Sequence, residues 1–139
     1  MNRDRLKRIA GYFFVNPDRL NMDFWHCWTD TDPYVTIRGA FLSEVDIYRD
    51  RVWSHSIAGI AEILWREEAD VLEFPSVNAA RILELTPQQS TRLFYLHSCG
   101  RLGWPDDLRI RYMAAKTASE RVEIVLHRID LFMHSDGEV

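Results

Sequence analysis

The sequence predicts a compact all-α domain, because helical periodicity, helix caps and helix-breaking residues recur along most of its 139 residues. Apolar residues make up 47% of the chain and charged residues 27%, which is ordinary for a folded globular protein of one domain. We therefore expect a single domain, residues 1–139, of five or six helices around a central buried helix. Residues 29–50 are expected to form a partly irregular insertion, and residues 135–139 a frayed tail.

The first and last helices have the clearest amphipathic patterns. Asn2 is expected to cap the first helix and Asn16-Pro17 to end it, because proline lacks the amide donor. Thr117 and Glu120 have the spacing of a capping box at the start of the last helix. The predicted buried stripes are Leu6, Ile9, Ala10, Phe13 and Phe14 in the first helix, and Val122, Val125, Leu126, Ile129, Phe132 and Met133 in the last.

Shorter helices are predicted between these two. The stretch from Trp53 to Arg66 is apolar almost all round, which is typical of a central buried helix. A helix pair follows at Ser76–Leu85 and Pro87–His97, with Thr86 and Gln89 as the capping box of its second member. One further helix is expected to open at Trp104-Pro105 and to run to about Lys116.

The stretch from Thr29 to Asp50 does not follow a helical period. Val35 and Ile37 alternate with polar residues before Gly39, which favours a short strand and a turn. A hairpin, or a short helix near 43–49, is expected within this insertion.

Composition and motifs narrow the classes of function. Only two cysteines are present, which suits a reducing compartment. The sequence contains neither an apolar signal region nor a run of eighteen apolar residues. We therefore expect a cytoplasmic protein that does not span a membrane. The net charge of −4 argues against a general nucleic-acid-binding surface. Glycine-rich phosphate loops, H-E-x-x-H and G-x-S-x-G are all missing, so we expect no enzyme activity and no cofactor.

A metal site is not expected either. Candidate zinc ligands exist, but no two of them have the local spacing of a zinc-binding pair. They are His26, Cys27, His55, His97 and Cys99. The stripe of Glu123, His127, Asp130 and His134 on the last helix is interpreted as a solvated face with ion pairs.

A helix-turn-helix at residues 79–97 is the alternative to a plain helical hairpin. Residues at the start of its second helix have the types that contact base edges: Gln88, Gln89, Thr91 and Arg92. Against it, Glu84 stands where such turns usually have glycine, and the preceding segment 67–84 has five acidic side chains and one basic. Nucleic acid therefore stays an alternative partner.

Several short motifs resemble an uncharacterised family of short helical bacterial and phage proteins. Asn16–Trp25 resembles its P-x-R-F-x-M-x-x-W turn, Ile57–Ala61 its C-I-A-G-W-A helix, and Ala79–Thr86 its A-A-x-L-L-G-L-T segment. Trp104-Pro105 and Arg128-Ile129 with Phe132 complete the similarity. The resemblance implies an all-helical fold and descent from phages or mobile elements, and it implies no activity. The cysteine pair typical of the family is missing, with Ser56 in place of its second member.

The favoured function is a small non-enzymatic protein-binding module that modulates another protein or complex. Aromatic residues and arginine are the side chains on which binding hot spots depend, and the insertion is rich in them. The expected contacts with an unidentified protein partner are Tyr34, Ile37, Arg38, Phe41 and Tyr48.

Overall fold

The computed structural model describes residues 1–23, 25–28, 53–97 and 103–139, and these form a single helical domain. Six α-helices lie in the described part of the chain, which confirms the predicted all-α class. They are α1 (Arg3–Val15), α2 (Ile57–Leu64), α3 (Pro75–Ile82), α4 (Pro87–Phe94), α5 (Asp106–Ala114) and α6 (Ala118–His134). Short 3-10 helices lie at Pro17–Arg19 and Arg66–Glu68.

The predicted helix caps are confirmed. The Asn2 side chain accepts a hydrogen bond from the amide of Arg5, and both capping boxes, at the starts of α4 and α6, are complete. Each box pairs main-chain amides that the first turn of a helix would otherwise leave without an acceptor.

The start of the central helix was predicted wrongly. Trp53–His55 is a strand, β2, which pairs antiparallel with β1 (His26–Trp28), and the helix begins only at Ile57. Ser56 determines this boundary, because its side chain accepts a hydrogen bond from the amide of Gly59. Residues 57–62 are all buried, so the expected central position of the helix is confirmed.

The core joins α2 to the buried faces of the helices around it. Seven positions of the two predicted stripes are buried: Leu6, Ile9, Phe13, Val122, Val125, Ile129 and Phe132. Ala10, Leu126 and Met133 are partly buried, and Leu83 and Leu93 join the core from the helix pair. Phe14 was predicted to be buried but is 70% exposed. At 3.6 residues per turn it lies about 80° from Leu6 around the helix, which takes it off the buried stripe.

The connection between α3 and α4 contains a left-handed residue. Glu84 has φ 54°, a conformation that glycine adopts without strain and other residues rarely adopt. α3 ends at Ile82 and α4 at Phe94, so both helices are shorter than the predicted pair.

Residues 135–139 were expected to be frayed but are packed on α4. Asp136 and Gly137 have φ values of 54° and 78°, and the Gly137 amide donates to the carbonyl of Phe132 at 2.8 Å. This left-handed turn ends α6 and directs the following residues back along the domain. No helix in the described part of the chain is long and apolar enough to cross a membrane.

Candidate functional site

A cluster of exposed apolar side chains lies in the segment that enters α3. Its members, which we call the apolar surface, are Val71, Leu72, Phe74 and Val77. Leu72 is 89% exposed and Phe74 70%, which is high for large apolar side chains. Glu67, Asp70 and Glu73 are exposed in the same segment, so carboxylates accompany the apolar surface.

Asn78 holds this segment in place from beneath. It is fully buried, and its Oδ1 accepts from the Asp70 amide at 3.0 Å. Its Nδ2 donates to the Asp70 carbonyl at 2.8 Å and to Oε1 of buried Glu62 at 2.6 Å. The Asp70 carboxylate in turn accepts from the Leu72 amide at 2.9 Å. The loop before α3 is therefore fixed by hydrogen bonds from a buried side chain.

Two arginines fix the acidic end of the same segment. Arg81 Nη2 donates to the Glu68 carbonyl and to Asn78 Oδ1, both at 2.8 Å. Arg5 Nη2 donates to Glu68 Oε1 at 2.9 Å. The hydrogen bond from Arg5 and the charge of its guanidinium lower the pKa of Glu68. These contacts leave the neighbouring carboxylates of Glu67 and Glu73 exposed to solvent.

This arrangement presents apolar side chains to solvent on a fixed loop. Exposed apolar side chains on a fixed loop lose little conformational entropy when a partner covers them. Sequence analysis missed the apolar surface, because V-L-E-F-P-S-V follows neither a helical nor a strand period. The sequence did contain a signal for it. An apolar run that ends at Pro75 lies between acidic residues and belongs to no predicted buried helix face.

The predicted partner-binding residues of the insertion lie outside the described residues. Tyr34, Ile37, Arg38, Phe41 and Tyr48 stay predictions for that reason.

The alternative DNA-contacting residues lie together at the start of α4, but three of them are engaged within the domain. Gln88 is exposed. Gln89 belongs to the capping box, and its Nε2 donates to the Asp136 carbonyl at 3.0 Å. Thr91 donates to the Pro87 carbonyl at 2.9 Å, and Arg92 Nη1 donates to the Gly137 carbonyl at 2.8 Å. Residues 136–137 thus occupy part of the surface that a base-reading helix presents.

Metal-ligating side chains do not gather in the part of the chain that the structure describes. No group of three or more His, Cys, Asp or Glu residues there could hold a metal ion. Glu123, His127, Asp130 and His134 are all exposed on α6, and His134 Nδ1 lies 3.2 Å from the Asp130 carboxylate. This geometry agrees with a solvated helix face.

Comparison of the chain with protein-family models, with curated proteins and with solved structures finds no match. The resemblance to the family of short bacterial and phage proteins therefore stays a prediction, and function is argued from this chain's own geometry.

Proposed function

We propose that this protein is a non-enzymatic binding module that modulates another protein or complex, and that its apolar surface receives a basic segment of that partner. The observation that carries the proposal is the exposure of Val71 and Leu72 on a loop that Asn78 fixes from within the core. Large apolar side chains in a pre-organised setting are typical anchors of protein interfaces.

The charge around the apolar surface indicates the chemistry of the partner. Glu67, Asp70 and Glu73 are exposed in the segment. Of its basic neighbours, Arg81 is engaged with Asn78 and Glu68, and Arg66 is exposed, so carboxylates outnumber the available cations. Complementary charge speeds association and selects among partners more than it adds affinity. A partner segment with apolar anchors flanked by Lys or Arg fits this surface best.

Selection from a random peptide library tests the proposal without a known partner. The full chain should enrich peptides that combine a large apolar residue with Lys or Arg. Those peptides should bind Leu72→Ser at least tenfold more weakly, which corresponds to about 1.4 kcal/mol. Ile110→Ser is the matched control, because Ile110 is 60% exposed on α5 and should leave binding unchanged. Equal enrichment on the Leu72→Ser variant, or enrichment of acidic peptides, would contradict the proposal.

A DNA-binding regulator that uses residues 79–97 is the second candidate, and the turn between α3 and α4 favours it. Glu84 occupies the left-handed conformation for which glycine is preferred in such turns, so the glycine missing from the sequence does not prevent this turn from forming. Mobility shifts on pooled genomic fragments at two salt concentrations test this candidate. Salt-sensitive binding that prefers particular fragments and is lost in Arg92→Gln would favour it over the protein-binding module.

A further inference from the structure

Arg128 is a buried charge with unsatisfied donors. It lies on the core-facing side of α6 and is fully buried, yet its Nε and Nη1 find no hydrogen-bond acceptor. Its Nη2 donates to the main-chain oxygens of Arg92 at 2.8 Å and of Val139 at 2.9 Å. Buried charged groups are normally paired, because the loss of hydration is costly otherwise. Two donors of this buried guanidinium are therefore left unsatisfied by the described residues, although the Phe132 ring centroid lies 5.5 Å from its Cζ.

A second positive charge near Arg128 makes its charged form less favourable. Burial, together with the positive charge of Arg92, lowers the pKa of Arg128 to about 10. The side chain of Arg92 is itself only 19% exposed, and it pairs with the carboxylate of Glu138 at an Nη1–Oε2 distance of 3.8 Å. The Glu138 side chain is 77% exposed, so it compensates the two guanidinium groups only weakly.

A cavity is lined by Arg92 and by residues that contact Arg128, but not by Arg128 itself. It has a volume of about 750 Å³, and its lining includes Arg92 and Val139, the two residues whose main-chain oxygens accept from Arg128. His97 and Arg109 line it as well, with an Nδ1–Nη1 distance of 3.3 Å. Its lining carboxylates are Asp106, which is paired with Arg109 at 2.7 Å, and Glu138. Cavities of this volume accommodate small organic ligands.

One wall of the cavity is aromatic and firmly held. Trp104 is 4% exposed, and its indole N–H donates to the Leu93 carbonyl at 2.9 Å. Its ring also packs edge-on against Tyr112, with 5.7 Å between the ring centroids. Trp104 is therefore fixed both by a hydrogen bond and by ring packing.

We propose that this cavity binds a small oxyanion, a carboxylate or a phosphate, between Arg92 and Arg128, and that residues 137–139 cover the site in its absence. A guanidinium group presents parallel N–H donors that match the two oxygens of such a ligand. The main-chain oxygens of Gly137 and Val139 now occupy donors of the same two arginines. An incoming oxyanion would displace these main-chain acceptors and bind donors of both guanidinium groups.

The proposal is tested by thermal unfolding of the full chain in inorganic phosphate, in citrate and in sodium chloride of matched ionic strength. Phosphate and citrate together distinguish the two oxyanion classes. At ten times the dissociation constant, the preferred anion should raise Tm by roughly 3–6 °C over sodium chloride. The rise should saturate, and it should disappear in Arg128→Met, which keeps the length of the side chain without its charge. Arg111→Gln is the control, because it removes an exposed arginine on α5 and should keep the full rise.

Nuclear magnetic resonance provides a readout that does not depend on whether Arg128→Met folds. The Nε–H resonance of Arg128 should move with the same saturation as Tm when the preferred anion is added to the unaltered chain, and Arg92→Gln should weaken that response at least tenfold. The proposal is overturned if the resonance does not move, if neither anion raises Tm above sodium chloride, or if Arg128→Met folds and retains the rise.

Discussion

Replacement of Asn78 by alanine should destabilise the domain and release the loop that carries the apolar surface. The change removes four hydrogen bonds: two with the Asp70 main chain, one to Glu62 and one from Arg81. A typical hydrogen bond contributes about 1 kcal/mol net, and a buried group that loses its partner costs about 1–3 kcal/mol. Arg81 can turn to solvent, so we expect a loss of roughly 2–4 kcal/mol in the free energy of unfolding.

Urea unfolding, followed by circular dichroism, measures this loss. The matched control is Ser76→Ala, a polar substitution two positions earlier on α3 at a half-buried site, which should change stability by less than about 0.5 kcal/mol. Hydrogen exchange should also show faster exchange of the Asp70 and Leu72 amides in Asn78→Ala. A loss below 1 kcal/mol with unchanged exchange would refute the argument that Asn78 fixes the loop.

Three further predictions concern local structure. Thr117→Ala should cost about 1 kcal/mol in the same assay, because it removes the side-chain acceptor of the α6 capping box; an unchanged midpoint would contradict this. Glu84→Val should be less stable than Glu84→Gly by about 1–2 kcal/mol, because a β-branched residue is strained at φ 54°; equal stabilities would show that the turn relaxes. The stabilising effect of Glu68 should be present at neutral pH and be lost as the pH falls through its lowered pKa, so the stabilities of wild type and Glu68→Gln should converge on acidification. An undiminished difference at low pH would mean that the pair with Arg5 is not its source.

The parts of the fold that local chemistry determines could be predicted from the sequence. The caps at Asn2, Thr86 and Thr117 depend on side chains within three residues of the amides that they bind, so the spacing of residue types is sufficient. The buried face of α6 follows from its period in the same way.

The parts that depend on distant contacts could not be predicted. Trp53–His55 is a strand because it pairs with His26–Trp28, a partner more than twenty residues away, while its own composition suits the helix that follows. Arg128 has the spacing of the buried stripe, three residues after Val125, but arginine is normally assigned to the surface. Its burial depends on α4 and on residues 137–139, which no local pattern brings together.

The two proposed surfaces are supported by separate sets of contacts. Asn78 and Arg81 contact residues 62–78, whereas the hydrogen bonds and the ion pair of Arg92 and Arg128 join them to residues 92 and 137–139. Substitutions in sites that share no partner usually have additive effects on stability. Leu72→Ser should therefore leave the anion-dependent rise in Tm intact, and Arg128→Met should leave peptide binding intact.

Arg92 belongs to both the proposed anion site and the alternative DNA-binding surface, because its guanidinium would bind the oxyanion in one and DNA in the other. If a free oxyanion binds Arg92, DNA phosphate could bind it too, so salt-sensitive retention of DNA alone does not establish sequence reading. Gln88 separates the two functions, since it is exposed at the start of α4 and does not line the cavity. A base-reading helix requires its side-chain amide, and Gln88→Ala should then reduce the preference for one DNA sequence over another. In an anion site that only attracts phosphate, the same substitution leaves both the rise in Tm and the weak DNA binding unchanged.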